Sequence, residues 1–156
     1  MTRARIAALL IVTIAASAAA AKTFVAEAPK PCFVAGAHAY RISDKADANV
    51  TVLVSKTAAA PNLRVQLVND PATADFVLVD DSDQAAACDT IGAIKSIRLD
   101  TDAANGGKPD LTVALSGAGA PYKIYVRSAH YSPQDAAALF AVMRQDTRRR
   151  EVASRD

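Results

Sequence analysis

Three carboxylates fall within four positions where the apolar run of FVLVDDSDQAAAC (76–88) ends: Asp80, Asp81 and Asp83. Clustered acids of this kind can hold a hard cation such as calcium, which takes several oxygen ligands in a flexible loop. Along an extended backbone, Asp81 and Asp83 share one side and Asp80 takes the other, so convergence on one ion requires a tight turn. The expected role is plainer: acids keep the emerging end of a hydrophobic strand soluble and supply turn residues. Calcium at Asp80, Asp81 and Asp83 is the alternative, and no other metal or cofactor is expected. A second acidic stretch, DTDAANGG (100–107), has the wrong register for a calcium loop. Its Asn105-Gly106 comes one residue late, and the twelfth position is Leu111 where a bidentate Glu is needed.

The chain has two histidines, His38 in AHAYR and His130 in AHYSP. Zinc needs three or four nitrogen or sulfur ligands, and no H-x-x-x-H or C-x-x-C spacing offers them. His130 stands just ahead of a helix cap, which assigns it to packing or capping at a strand-to-helix junction. A hydrolase assembled from His38, His130 and the Asp80–Asp83 loop is the enzymatic alternative, because catalytic groups can be distant in sequence when they meet in space. Nucleophile and nucleotide motifs fail on context. Ser116 in LSGAG lacks the glycine that precedes a nucleophile elbow, and Gly117-Ala118-Gly119 leads to a strand instead of a helix.

The N-terminal MTRARIAALLIVTIAASAAAA has two arginines, an apolar run and a small-residue finish, the grammar of a secretory signal. Its apolar run, Ile6 to Ala21, makes about 24 Å of helix, short of the roughly 30 Å hydrocarbon core. Cleavage near Ala20 and Ala21 is therefore expected, leaving no stable membrane span and a periplasmic or secreted chain. No cysteine stands where a lipoprotein would carry its lipid. Arg3 and Arg5 leave with the signal, so 16 basic residues then face 16 acidic ones. That balance gives no general electrostatic case for nucleic acid. The basic run TRRREVASR (147–155) lacks apolar anchors and reads as a solvated helix end. The two cysteines, Cys32 and Cys88, are expected to pair in an oxidising compartment. Closing so long a loop stabilises a fold by up to about 4 kcal/mol in the chain-entropy model.

Around these residues the chain reads as an extended lead-in over 22–31, a single domain over 32–146 and a basic, frayed tail over 147–156. Strands are expected at 50–55, 64–68, 76–79, 93–99, 111–115 and 122–128 from period-two alternation or short apolar runs. FVLV (76–79), apolar on both faces, is placed in the sheet centre or under a helix. NDPATAD (69–75) predicts a turn or one helical turn with Asp70 as cap and Pro71 at the first position. SGAGAP (116–121) reads as a hairpin loop. Ser132-Pro133-Gln134-Asp135 is an Asp variant of the capping box, followed by a stripe of Ala136, Leu139, Phe140 and Met143. No internal repeat is apparent.

The expected fold is α+β: one small domain, a mostly antiparallel sheet of five to six strands, and a C-terminal amphipathic helix on one face. The expected function is that of an exported, disulfide-tied, non-catalytic domain of the bacterial cell envelope. It would bind an unidentified protein or small ligand through loops or through a sheet edge open to β-augmentation.

Overall fold

The computed structural model describes residues 31–35, 38–58, 60–80, 93–101 and 107–155. Residues 1–30, which hold the expected signal and lead-in, lie outside them, as do Asp81, Asp83 and Cys88. Among the described residues the strands are β1 (Phe33–Ala35), β2 (His38–Ile42), β3 (Val50–Ser55), β4 (Leu63–Leu67), β5 (Phe76–Asp80), β6 (Ile94–Asp100), β7 (Leu111–Ser116) and β8 (Tyr122–Ser128). One helix, α1 (Pro133–Ala153), follows. The α+β class holds, but these eight strands form one mixed sheet in the order β1-β2-β6-β3-β7-β4-β8-β5. Only β1 and β2 pair antiparallel, and every other neighbouring pair is parallel.

The expectation of an antiparallel sheet fails for a physical reason. Short, turn-rich connections suggest hairpins because a parallel partner ordinarily requires a crossover of a dozen residues or more to return to the starting edge. Stagger removes that need here. Through Ile97, Val50 at the start of β3 lies level with Ile42, the fifth residue of β2. Through Val113, Leu63 at the start of β4 lies level with Val54, the fifth residue of β3. Through Ile124, Phe76 at the start of β5 lies level with Leu67, the fifth residue of β4. Each strand thus begins where its predecessor is ending, and a short link suffices. The series β2-β3-β4-β5 takes alternate places in the sheet, and β6-β7-β8 then fills the gaps between them. SGAGAP is therefore no hairpin loop, since β4 lies between β7 and β8. Gly119, at φ 76°, supplies the left-handed turn in that link.

Stagger leaves one backbone N–H uncovered at each step, and a short side chain covers it. Asn49, Asn62, Asp75 and Asp110 each stand immediately before a strand. Their side-chain oxygens accept from the N–H groups of Ser96 (2.8 Å), Thr112 (2.7 Å), Lys123 (2.7 Å) and Thr51 (2.8 Å) on the neighbouring strands. Asn49, Asn62 and Asp75 are thirteen residues apart, as are the buried Val52, Val65 and Leu78. This is an internal repeat that the sequence reading did not find.

The sheet curls. Phe33 on β1 and Phe76 on β5, at opposite ends of the strand order, meet edge-to-face at 5.8 Å. Phe76 stacks on Phe140 of the helix at 5.4 Å, and Phe33 meets Tyr131 at 6.4 Å. The helix is accordingly not confined to one sheet face. Asp135 to Val142 are buried without interruption. Successive residues point about 100° apart, so such a run is buried on every side. Ala136, Ala137 and Ala138 keep that half of the helix thin enough to sit inside the curl, surrounded by Val52, Val65, Ile97, Val113 and Ile124. FVLV, expected in the sheet centre or under a helix, is the terminal strand β5: Phe76 and Leu78 pack with the helix residues, while Val77 and Val79 are exposed on its outer face.

Candidate functional site

The two histidines sit at opposite ends of α1. At the N-terminal end, Asp80 closes β5 and Ser128 closes β8, and parallel pairing sets the two residues level. Ser128 Oγ donates to Asp80 Oδ2 at 3.1 Å and accepts from the N–H groups of His130 (3.0 Å) and Tyr131 (2.9 Å). This turn swings the His130 ring back so that Nδ1 lies 2.5 Å from the same Asp80 oxygen. With Asp80 ionised, Nδ1–H donates, which fixes the tautomer and leaves Nε2 as the basic nitrogen. That geometry suits proton transfer. It does not form a nucleophilic triad: Ser128 bonds the carboxylate rather than Nε2, so the imidazole does not stand between hydroxyl and acid.

The surroundings are structural. Tyr131 donates to the carbonyl of Pro31 at 2.6 Å, tying the chain ahead of the buried Cys32 to the helix start. Burial, and then the nearby Asp80 and Asp135 carboxylates, push the Tyr131 hydroxyl well above the ordinary phenol range. The expected capping box is present: Asp135 N–H donates to Ser132 Oγ at 3.2 Å, and Ser132 N–H donates to Asp135 Oδ2 at 2.7 Å. A fully buried carboxylate is tolerable there because it accepts hydrogen bonds beside the positive end of the helix dipole.

At the other end, His38 opens β2 and its Nε2 accepts from Arg150 Nη1 at 2.9 Å. Arg150 lies eighteen positions beyond the cap Ser132, about 27 Å at 1.5 Å per residue. The enzymatic alternative requires His38 to join His130 and Asp80, and His38 stands at the other end of the helix from both. Around His38 lies an open groove of ≈ 440 Å³, bordered by Asn49, Ala93, Ile94, Lys95, Asp146, Arg149 and Arg150. Lys95 Nζ pairs with Asp146 Oδ1 at 2.6 Å, and the Tyr40 hydroxyl reaches Asp146 Oδ2 at 3.3 Å. Burial and Asp146 raise the Tyr40 hydroxyl above its usual value, with Arg150 opposing. The segment expected to fray is helical as far as Ala153. Thr147 bonds the Met143 carbonyl, and Arg150 bonds both the Asp146 carbonyl and His38.

Of the expected site residues, Asp80 and His130 come together, while Asp81 and Asp83 lie outside the described residues. No group of three metal-ligating side chains occurs among the described residues. Ser116 Oγ donates to the Val65 carbonyl at 3.2 Å, a sheet contact. Cys32 is buried ahead of β1, and its expected partner Cys88 lies outside the described residues. Sequence reasoning missed Lys95 and the groove. Asp146, Arg149 and Arg150 at i, i+3 and i+4 mark one helix face, but Lys95 is fifty-one residues from Asp146 and no motif links them. No helix among the described residues is long and apolar enough to cross a membrane. The chain matches no known protein family, no curated protein and no solved structure.

Proposed function

We propose that this protein is an exported, disulfide-tied, non-catalytic binding domain of the bacterial cell envelope, and that its ligand occupies the groove between α1 and the starts of β2 and β6. The observation that carries the reading is the groove itself. At ≈ 440 Å³ it falls in the size range of small-molecule clefts, and its lining combines Ala93 and Ile94 with polar and charged side chains. The signal-like N-terminal pattern and the even count of two cysteines support this reading of the location. The test uses the chain recovered after export from an expressing bacterium. Its intact mass should lack residues 1–21, or a few more, and should be two hydrogens short for a Cys32–Cys88 bond. A full-length mass or two alkylatable thiols overturns the exported, disulfide-tied form. Binding is read by exposing the labelled chain to the small-molecule fraction of an envelope extract. Shifts of the backbone amides of residues 93–95 support the groove, and unmoved amides overturn it.

The Asp80–His130 contact favours a second reading, a small periplasmic hydrolase using His130 Nε2 as a general base. His38 has no part in it. On chromogenic ester, phosphate and glycoside substrates, this reading expects turnover that His130→Gln abolishes and His38→Gln retains. No turnover by the unaltered chain sinks it.

A further inference from the structure

The groove at the C-terminal half of α1 has a chemistry that names its ligand class. Its lining sets Ala93 and Ile94 beside Lys95, Arg149 and Arg150 and one carboxylate, Asp146. That carboxylate is already engaged by Lys95 at 2.6 Å. The partners of the Arg150 guanidinium are a carbonyl and the accepting nitrogen of His38, neither of which neutralises its charge. Arg149 is exposed and has no ion pair among the described residues. Two positive charges therefore remain beside the apolar Ala93 and Ile94. The helix C-terminus opposes an anion with about half a charge, which the surplus outweighs. A lone inorganic anion would leave Ala93 and Ile94 wet, and a neutral apolar molecule would leave the guanidinium groups without a counter-charge.

Resting on the binding reading above, we infer that the groove takes a small anionic amphiphile, with its carboxylate held by Arg149 and Arg150 and its apolar part laid on Ala93 and Ile94. Arginine suits this role because its fork presents paired N–H donors to a carboxylate. His38 holds the Arg150 guanidinium at the mouth, and it does so only as a neutral imidazole, since a protonated ring has no acceptor.

The experiment titrates the labelled exported chain with decanoate below its micelle threshold, and separately with decanol and with acetate, following the amides of residues 93–95. Decanoate is expected to give saturable shifts at least tenfold tighter than either control. Arg149→Gln, at an exposed helix position, should weaken decanoate at least tenfold, whereas Arg148→Gln, outside the groove, should leave it unchanged. Equal binding of decanol, equal binding of acetate, or indifference to Arg149→Gln overturns the inference. If decanoate fails while an envelope extract still shifts these amides, the ligand class is wrong and the binding reading stands. If nothing shifts them, both fall.

Discussion

The two ends of α1 are built from similar groups and put them to different uses. At the N-terminal end, Asp80, Ser128, His130, Ser132 and Asp135 satisfy one another around a helix buried on every side. At the C-terminal end, past Met143, the helix leaves the curl and exposes Arg148, Arg149 and Arg150 beside an open groove. Polar groups that consume each other's hydrogen bonds fix geometry. Cations left over beside apolar side chains have bonding capacity to offer a ligand. The contrast assigns the larger cost of mutation to the first end and the larger effect on recognition to the second.

The most direct way to break that contrast is to truncate one apolar side chain at each end. Leu139 is 0% exposed inside the curl, whereas Val152 is 63% exposed near the helix terminus. Leu139→Ala should cost about 3 kcal/mol, from lost transfer energy plus the cavity left behind. Val152→Ala should cost less than about 0.5 kcal/mol. Urea unfolding checks both, and comparable losses would mean that the enclosed half is no more tightly built than the open one.

Alkaline pH separates the ends next. Both Tyr131 and Tyr40 have hydroxyls raised above the usual value near 10, so the unfolded chain releases those protons first. Below pH 10 both states are protonated and stability is flat. Above it the unfolded state binds fewer protons, and stability falls by up to about 1.4 kcal/mol per pH unit per tyrosine. The effect should be larger at Tyr131, where burial and two carboxylates act together, than at Tyr40, where Arg150 opposes the rise. Melting temperatures from pH 9 to 11.5 should therefore flatten more in Tyr131→Phe than in Tyr40→Phe. The reverse order would contradict this account of the two environments.

A smaller effect tests the cap alone. Ser132→Ala removes the acceptor of the Asp135 N–H and should cost about 1 kcal/mol by thermal or urea melting. A loss indistinguishable from zero would show that the curl, not the cap, fixes where the helix begins.

These elements differ in how openly the sequence displayed them. The cap at Ser132, the turn at Asp70–Pro71 and the edges of β3 and β8 were legible because each depends on local chemistry: an oxygen facing an orphan N–H, a preset proline φ, or period-two alternation. Sheet direction was not legible, because alternation is the same in parallel and antiparallel strands and short links imitate hairpins. The clue was present in the Asx residues at 49, 62 and 75, each one position before a strand, but their purpose appears only with the stagger they cover. The helix looked one-sided because alanine counts weakly as apolar, although Ala137 and Ala138 are as buried as Leu139. His130 was correctly set at the strand-to-helix junction. Its contact with Asp80 depends on β5 and β8 being neighbours, which no spacing in the chain expresses.

The smallest effect bears on whether the open end is held together by its own ion pair. Lys95 and Asp146 approach to 2.6 Å with side chains 26% and 18% exposed, so water still screens them. Pairs of this kind contribute at most about 1 kcal/mol, because Coulomb attraction is offset by desolvation and by the entropy of holding a long lysine side chain. A double-mutant cycle with Lys95→Met and Asp146→Asn should return a coupling of about 0.5 kcal/mol that shrinks as salt is raised. The tyrosine hydroxyl at Asp146 Oδ2 makes the carboxylate variant the costlier single change, since removing Lys95 leaves Asp146 that hydrogen bond. A coupling above about 2 kcal/mol would make this end a structural network like the other. Lys95 and Asp146 would then act as a brace, leaving recognition to Arg149 and Arg150 alone.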